Sequence, residues 1–177
     1  MRLSKAIGGY FRIDTTIGVS YHKNGIALNS VRNCLKYILQ EREYNHIYMP
    51  YYTCDAIIEP LKELNIPYEF YSIDDRLELM KTPEINDGGA LLYINYFGLK
   101  SDYVEKLSGI VSNLIVDAVQ AFFFKPIQGI DTFYSPRKFF GVPDGGYVYS
   151  EKKLSKVLPE DFSFDRFSHL LLRADQS

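Results

Sequence analysis

The stretch ALLYINY, residues 90–96, is a continuous apolar run of strand length and determines the predicted fold. A strand without alternating polar residues is buried on both faces, which is typical of a parallel sheet covered by helices. The polar turn at residues 86–89, Asn-Asp-Gly-Gly, precedes it. A second apolar run, residues 114–116, ends on Asp117. The two runs predict two interior strands of one sheet.

Helical and strand-like segments alternate around these runs. Apolar side chains recur with helical spacing over residues 31–40 (after Ser30, a good N-cap), 55–64 and 102–111, and shorter strands are predicted at 47–49, 68–73 and 146–149. Alternation at this spacing predicts an α/β fold with three layers, a mainly parallel sheet with helices on both faces. Ligands of such sheets bind beyond the carboxyl ends of the strands, which marks Asp117 and the loop after Tyr96.

The composition bounds the class of protein. A chain of 177 residues suits one α/β domain. A net charge of -2 argues against a general nucleic-acid or membrane-surface binder, which would need a basic face. Because the sequence has neither a signal-peptide pattern nor an apolar run that could cross a bilayer, we expect a soluble, cytoplasmic protein without a membrane partner.

Cysteine and histidine are too sparse and too scattered to predict a metal site. The three histidines, His22, His46 and His169, lie far apart in the sequence. Cys34 and Cys54 share no metal-type spacing, so two buried, reduced thiols are expected.

Asp117 ends a buried hydrophobic strand in the segment Ile115–Ala121. A carboxylate in that position is costly unless a cation or a strong hydrogen-bond donor meets it. One interpretation is therefore a carboxylate that pairs with a cationic ligand. The other is an ordinary strand-end Asp that caps the following helix.

Lys138 follows Tyr134-Ser135-Pro136-Arg137 and precedes two phenylalanines. Aromatic neighbours would desolvate its ammonium group and favour its action as an amine nucleophile. Ser135 stands three residues earlier, where a hydroxyl could bind a phosphate near the same lysine. A surface Arg-Lys pair beside an aromatic turn is the alternative. The glycine-rich residues 142–146 allow close backbone approach or form a plain turn before a strand.

The segment Leu28–Asn33 is a predicted helix start. Free amides of a first helical turn bind phosphate, and Arg32 could add a charge-assisted contact. The alternative is that Ser30 is only an N-cap.

Taken together and in this order, the segments resemble the large domain of sugar aminotransferases of the DegT/StrS type, a branch of the fold-type-I enzymes that use pyridoxal 5'-phosphate. The resemblance covers about residues 26–151. It rests on a helix start, a Pro-x-Tyr-Thr segment, an Asp-x-Ala-Gln-like strand end, an aromatic-Gly turn and a lysine motif followed by Asp-Gly-Gly. These are residues 29–32, 50–53, 117–120, 96–98, and 135–138 with 144–146.

The resemblance implies a cofactor and a role for each matching residue. Lys138 would hold pyridoxal 5'-phosphate as a Schiff base and later carry the proton, and Asp117 would pair with the pyridine nitrogen. Gln120 would contact the ring hydroxyl side of the cofactor. The phosphate would be held by Ser135, with Ser30, Arg32 and Asn33 at the helix start. Homodimers are also implied.

The sequence departs from the family pattern at several of these positions. Val31 and Arg32 stand where a small residue and a threonine are usual, and Phe133 replaces the common phosphate serine. Cys54 occupies the position of the aromatic residue that stacks on the ring, so Tyr52 or another tyrosine is expected to substitute. The loop at residues 125–129 is short for the family, and substrate and reaction can therefore differ.

Two hypotheses follow for the function. The first is an aminotransferase that uses pyridoxal 5'-phosphate, an amino-acid donor and a keto acceptor such as a nucleotide-linked keto-sugar. The second is a non-catalytic or truncated homologue that keeps only the cofactor-binding large domain. A dehydratase is disfavoured because such relatives usually replace the lysine. The predicted organisation is an N-terminal arm (1–25), the large domain (26–152) and a helical segment (153–177) that leads towards a C-terminal small domain outside this chain.

Overall fold

The computed structural model describes residue 13 and residues 18–155 and 157–174. Most of the predicted N-terminal arm, residues 1–12 and 14–17, lies outside the described residues, as do residues 156 and 175–177 of the C-terminal segment. The elements in chain order are β1 (Ile26–Leu28), α1 (Val31–Arg42), β2 (His46–Pro50), α2 (Ile58–Glu63), β3 (Tyr68–Tyr71), β4 (Gly89–Ile94), α3 (Ser101–Ser108), β5 (Leu114–Asp117), β6 (Asp131–Tyr134), β7 (Gly146–Tyr149) and α4 (Ser168–Ala174).

The described strands form one seven-stranded sheet in the order β1-β7-β6-β5-β4-β2-β3. The five strands β3, β2, β4, β5 and β6 run parallel to one another. Only β7 runs against its neighbours, β6 and β1. The mainly parallel α/β sheet predicted from the apolar runs is confirmed.

Helices cover both faces of this sheet. The connection through α2 leads from β2 outward to β3, whereas the connection through α3 leads from β4 in the opposite direction to β5. Right-handed crossovers in opposite directions place their helices on opposite faces. The helix α1 packs against α2, so it shares the α2 face. This is the predicted three-layer arrangement.

The core lies on the central strands. Every residue of β4, β5 and β6 is buried, in agreement with the apolar runs that predicted the first two. The strands β1 and β6 were not predicted. The strand β6 begins on the polar pair Asp131-Thr132, and Asp131 is buried because Arg42 donates to both of its oxygens, at 2.7 and 2.9 Å.

Within the described residues, no helix combines the length and apolar character needed to cross a bilayer. The same part of the chain holds no group of three or more His, Cys, Asp or Glu side chains placed to bind a metal ion.

Candidate active site

The candidate site is a cleft of about 820 Å³ at the carboxyl edge of the sheet. The strands β1, β5 and β6 all end at this edge, and the antiparallel strand β7 begins there. The topology therefore brings together residues far apart in sequence. The cleft is lined by five of the predicted site residues, Ser30, Arg32, Asp117, Ser135 and Lys138.

Asp117 ends β5 and is 6% exposed. One carboxylate oxygen accepts a hydrogen bond from the Val119 N–H at 2.9 Å. The other accepts none from the described residues, yet it is not fully enclosed, so it faces the cleft. Burial raises the pKa of Asp117 from 3.8 to about 6, against the opposing effects of the Val119 N–H and the Lys138 ammonium. A buried, half-satisfied carboxylate of this kind fits a cationic ligand atom.

Lys138 lies at the end of a short 3-10 helix, Pro136–Lys138, that follows β6. Its side chain is exposed at the cleft. The expectation that its aromatic neighbours would bury it is wrong, because Phe139 and Phe140 turn away and contact the ring of Phe122 at centroid distances of 5.7 and 5.0 Å. The amine is therefore accessible to a ligand in the cleft.

Ser135 immediately follows β6 and is 3% exposed. Its hydroxyl has no hydrogen-bond partner among the described residues, and it is not one of the fully enclosed polar atoms. Because the residue lines the cleft, the remaining accessible surface of this hydroxyl faces the same space as Lys138.

The start of α1 forms another wall of the cleft. Ser30 is the N-cap predicted from the sequence, and its hydroxyl accepts the Asn33 N–H at 3.3 Å. The guanidinium of Arg32 forms an exposed salt bridge of 3.1 Å with Glu59. The charge of Arg32 therefore has a carboxylate partner, and its role in phosphate binding stays a prediction.

Three predicted cofactor residues lie outside the cleft and have other contacts. Asn33 donates to the Asn29 side chain at 2.6 Å and lines a separate cavity. Gln120 accepts the Phe97 N–H at 3.0 Å. The ring of Tyr52 stacks on Tyr96 at a centroid distance of 5.5 Å.

The two cysteines differ in environment. Both thiols are free; Cys34 is buried in α1 as predicted, whereas Cys54 is exposed and lines the cleft. The prediction of a buried thiol is wrong for Cys54 because it follows β2 at the open carboxyl edge of the sheet, ahead of the helical turn Asp55–Ile57.

The C-terminal segment closes one side of the cleft, which the sequence did not predict. Arg166 forms a salt bridge with Asp144, the first residue of the Asp-Gly-Gly motif. Ser163 donates to the same carboxylate at 2.7 Å, and Asp161 contacts both Arg166, at 3.1 Å, and the Asn29 side chain. These contacts attach residues 161–166 to the β7 turn.

Gly146 lets the start of α1 approach β7 closely. A Cβ added there would lie 2.6 Å from the Cys34 Sγ and 3.2 Å from the Ser30 carbonyl group. We expect Gly146→Ala to destabilise the protein by about 1–3 kcal/mol through overpacking, measured by urea unfolding. In the double variant with Cys34→Ala the two effects should be less than additive; strict additivity would contradict the close packing.

No protein-family model and no curated protein matches the sequence. Solved structures do match the fold. The chain is similar to the sugar aminotransferase CalS13 from Micromonospora echinospora, with a TM-score of 0.59 and 17% identity over 85% of this chain and 45% of that chain. Helicobacter pylori PseC, an aminotransferase of pseudoaminic acid biosynthesis, matches with a TM-score of 0.53 and 20% identity over 71% of this chain and 39% of its own.

A DegT DnrJ EryC1 StrS aminotransferase from Brucella abortus is also similar, with a TM-score of 0.51 and 16% identity over 71% of this chain and 41% of that chain. The chain thus spans less than half the length of each of these aminotransferases. The resemblance seen in the sequence motifs is confirmed for the fold: over the region covered, the chain has the α/β fold of DegT/StrS-type sugar aminotransferases.

Proposed function

We propose that the chain binds pyridoxal 5'-phosphate in the cleft and forms the cofactor-binding part of an aminotransferase. The observation that carries the proposal is the pairing of Asp117 and Lys138 in one cleft. The buried Asp117 presents an unsatisfied carboxylate oxygen, and Lys138 presents an accessible amine. These are the two groups that the pyridine nitrogen and the aldehyde of this cofactor need.

When bound, the cofactor supplies an electron-withdrawing ring that allows an amino group to move between an amino acid and a keto compound. The chain's own residues would position it. Asp117 would hold the proton on the pyridine nitrogen, since an ion pair offsets the cost of its buried charge. The Nζ of Lys138 would attach the cofactor and move protons at the substrate carbon. Ser135 and the start of α1 would bind the phosphate.

The substrates that we propose are an amino-acid donor and a keto-sugar acceptor, because the similar structures include a sugar aminotransferase. The two free cysteines fit a reducing compartment, and we place the protein in the cytoplasm.

We also propose that the chain pairs with a second copy. Large apolar side chains stay exposed around the carboxyl edge, notably Tyr51 (69%), Phe97 (57%) and Leu99 (77%). Exposed apolar side chains grouped at this edge favour association with another surface. Sedimentation velocity of the chain should give a dimer mass; a monomer at all concentrations would contradict the pairing.

A second candidate is a chain that binds the cofactor without catalysing transamination by itself. The coverage of 45% or less of the similar aminotransferases favours it. Both candidates predict a visible absorption band after incubation with pyridoxal 5'-phosphate, removed by borohydride. They differ on addition of amino acids such as glutamate, because only the aminotransferase should convert the band to that of the pyridoxamine form. A colourless protein would refute both.

A further inference from the structure

The cleft contains a cation that the proposed chemistry does not use, the guanidinium of Arg137. Arg137 is exposed, lines the cleft and directly precedes Lys138. The sequence predicts no role for it beyond a surface Arg-Lys pair.

Among the described residues, two other arginines line the cleft, and both have carboxylate partners. Arg32 pairs with Glu59 at 3.1 Å, and Arg166 pairs with Asp144 and Asp161. Arg137 forms no salt bridge or hydrogen bond with any residue that the structure describes. Among the described arginines that line the cleft, it is therefore the one without a carboxylate partner, and its guanidinium can bind an incoming anion without breaking an ion pair.

The buried hydroxyl of Ser135 also points to a ligand beside Arg137. Ser135, two residues earlier, is 3% exposed, and its hydroxyl has no partner among the described residues although it opens on the cleft. A polar group buried to this degree usually has a hydrogen-bond partner. A hydroxyl donor, a planar guanidinium and the Lys138 amine follow one another along the same wall, and together they suit an oxyanion.

We infer that Arg137 and Ser135 form an oxyanion subsite of the cleft, one that takes a phosphate or carboxylate group. The anion site itself does not depend on the proposed function; only the identity of the molecule that carries the anion does. That anion is either the phosphate of the cofactor or a charged group of the substrate, and the chemistry of recognition is the same for both. A bidentate contact from the Arg137 guanidinium would supply the charge-assisted contact to the anion that the sequence suggested for Arg32. The guanidinium of Arg32 is paired with Glu59 instead.

The test begins without cofactor, by calorimetric titration of the protein with inorganic phosphate and with glutarate. The wild type should bind at least one of them, and Arg137→Met should weaken that binding by at least about tenfold, the scale of a lost charge-assisted hydrogen bond. Ser135→Ala should weaken it by several-fold, and Arg137→Lys should fall between wild type and Arg137→Met. The matched control Arg76→Met, an exposed arginine outside the cleft, should stay within about twofold of wild type, because salt screens an exposed charge that does not contact the anion.

The source of the anion follows from comparing pyridoxal 5'-phosphate with pyridoxal, which lacks the phosphate. If Arg137 contacts the cofactor, Arg137→Met should lose the preference for the phosphorylated form. If it contacts the substrate, the preference should persist, while glutarate or phosphate binding to the cofactor-loaded protein should be lost.

Absence of anion binding in the wild type, or equal binding by wild type and Arg137→Met, would overturn the inference. Anion binding that depends on Arg137 in a protein that never colours with pyridoxal 5'-phosphate would instead refute the proposed function and leave the subsite standing.

Discussion

Replacing Lys138 by alanine is expected to abolish the visible absorption that the protein acquires with pyridoxal 5'-phosphate. The band requires a Schiff base to an amine, and Lys138 is the accessible lysine amine on the cleft that also holds Asp117. Lys138→Arg should abolish it equally, since a guanidinium keeps the charge beside Asp117 but is not a nucleophile at neutral pH. Absorbance titration measures the effect.

The control for this prediction is Lys62→Ala, on the exposed surface of α2. It should colour with the same cofactor affinity as the wild type. A band of undiminished intensity in both Lys138 variants would show that another lysine reacts, and would remove Lys138 from the proposed site.

Replacing Asp117 by asparagine is expected to stabilise the cofactor-free protein at pH 8 while weakening its hold on the cofactor. Burial raises the pKa of Asp117 from 3.8 to about 6, so the folded state binds the proton more tightly than the unfolded state. Protonated Asp117 therefore adds its full contribution to the free energy of unfolding below pH 3.8. That contribution is lost as the pH rises through about 6, because the buried carboxyl group then ionises. The difference corresponds to about 3 kcal/mol. Asparagine avoids that cost and keeps an acceptor for the Val119 N–H.

Urea unfolding at pH 4 and pH 8 measures this effect. The gain of Asp117→Asn over the wild type should be about 3 kcal/mol at pH 8 and should shrink to about 0.5 kcal/mol at pH 4. The same variant should bind pyridoxal 5'-phosphate more weakly, because the carboxylate that holds the charged pyridine nitrogen is gone. A variant whose stability relative to wild type does not change with pH would contradict the burial of an ionising carboxylate.

The interior of the fold could be predicted because its signal is local. The strands β4 and β5 are continuous apolar runs, and the N-cap Ser30 precedes a clear helical period. In contrast, β6 begins on a buried aspartate that depends on Arg42, 89 residues away in sequence. A pairing at that distance leaves no mark in the local pattern, so the strand was missed.

The site residues that could be predicted are those at the ends of strands. Asp117 and Ser135 lie at the ends of parallel neighbours, β5 and β6, so topology alone brings them to one edge. Whether a residue away from a strand end reaches the cleft depends on the direction of its side chain, which the sequence does not show. The side chains of Asn33, Gln120 and Tyr52 contact Asn29, Phe97 and Tyr96 instead of lining the cleft. The short strand β1 brings the start of α1 to the cleft, and the antiparallel strand β7 brings Asp144 there. Both placements depend on pairing between strands that are distant in sequence, which no single segment reveals.

The central claim is that Lys138 attaches the cofactor, and reductive trapping tests it most directly. The protein is incubated with pyridoxal 5'-phosphate, reduced with borohydride, digested and analysed by mass spectrometry. We predict a single stoichiometric phosphopyridoxyl group on Lys138. A modification spread over surface lysines, or concentrated on a lysine outside the cleft, would contradict the assignment.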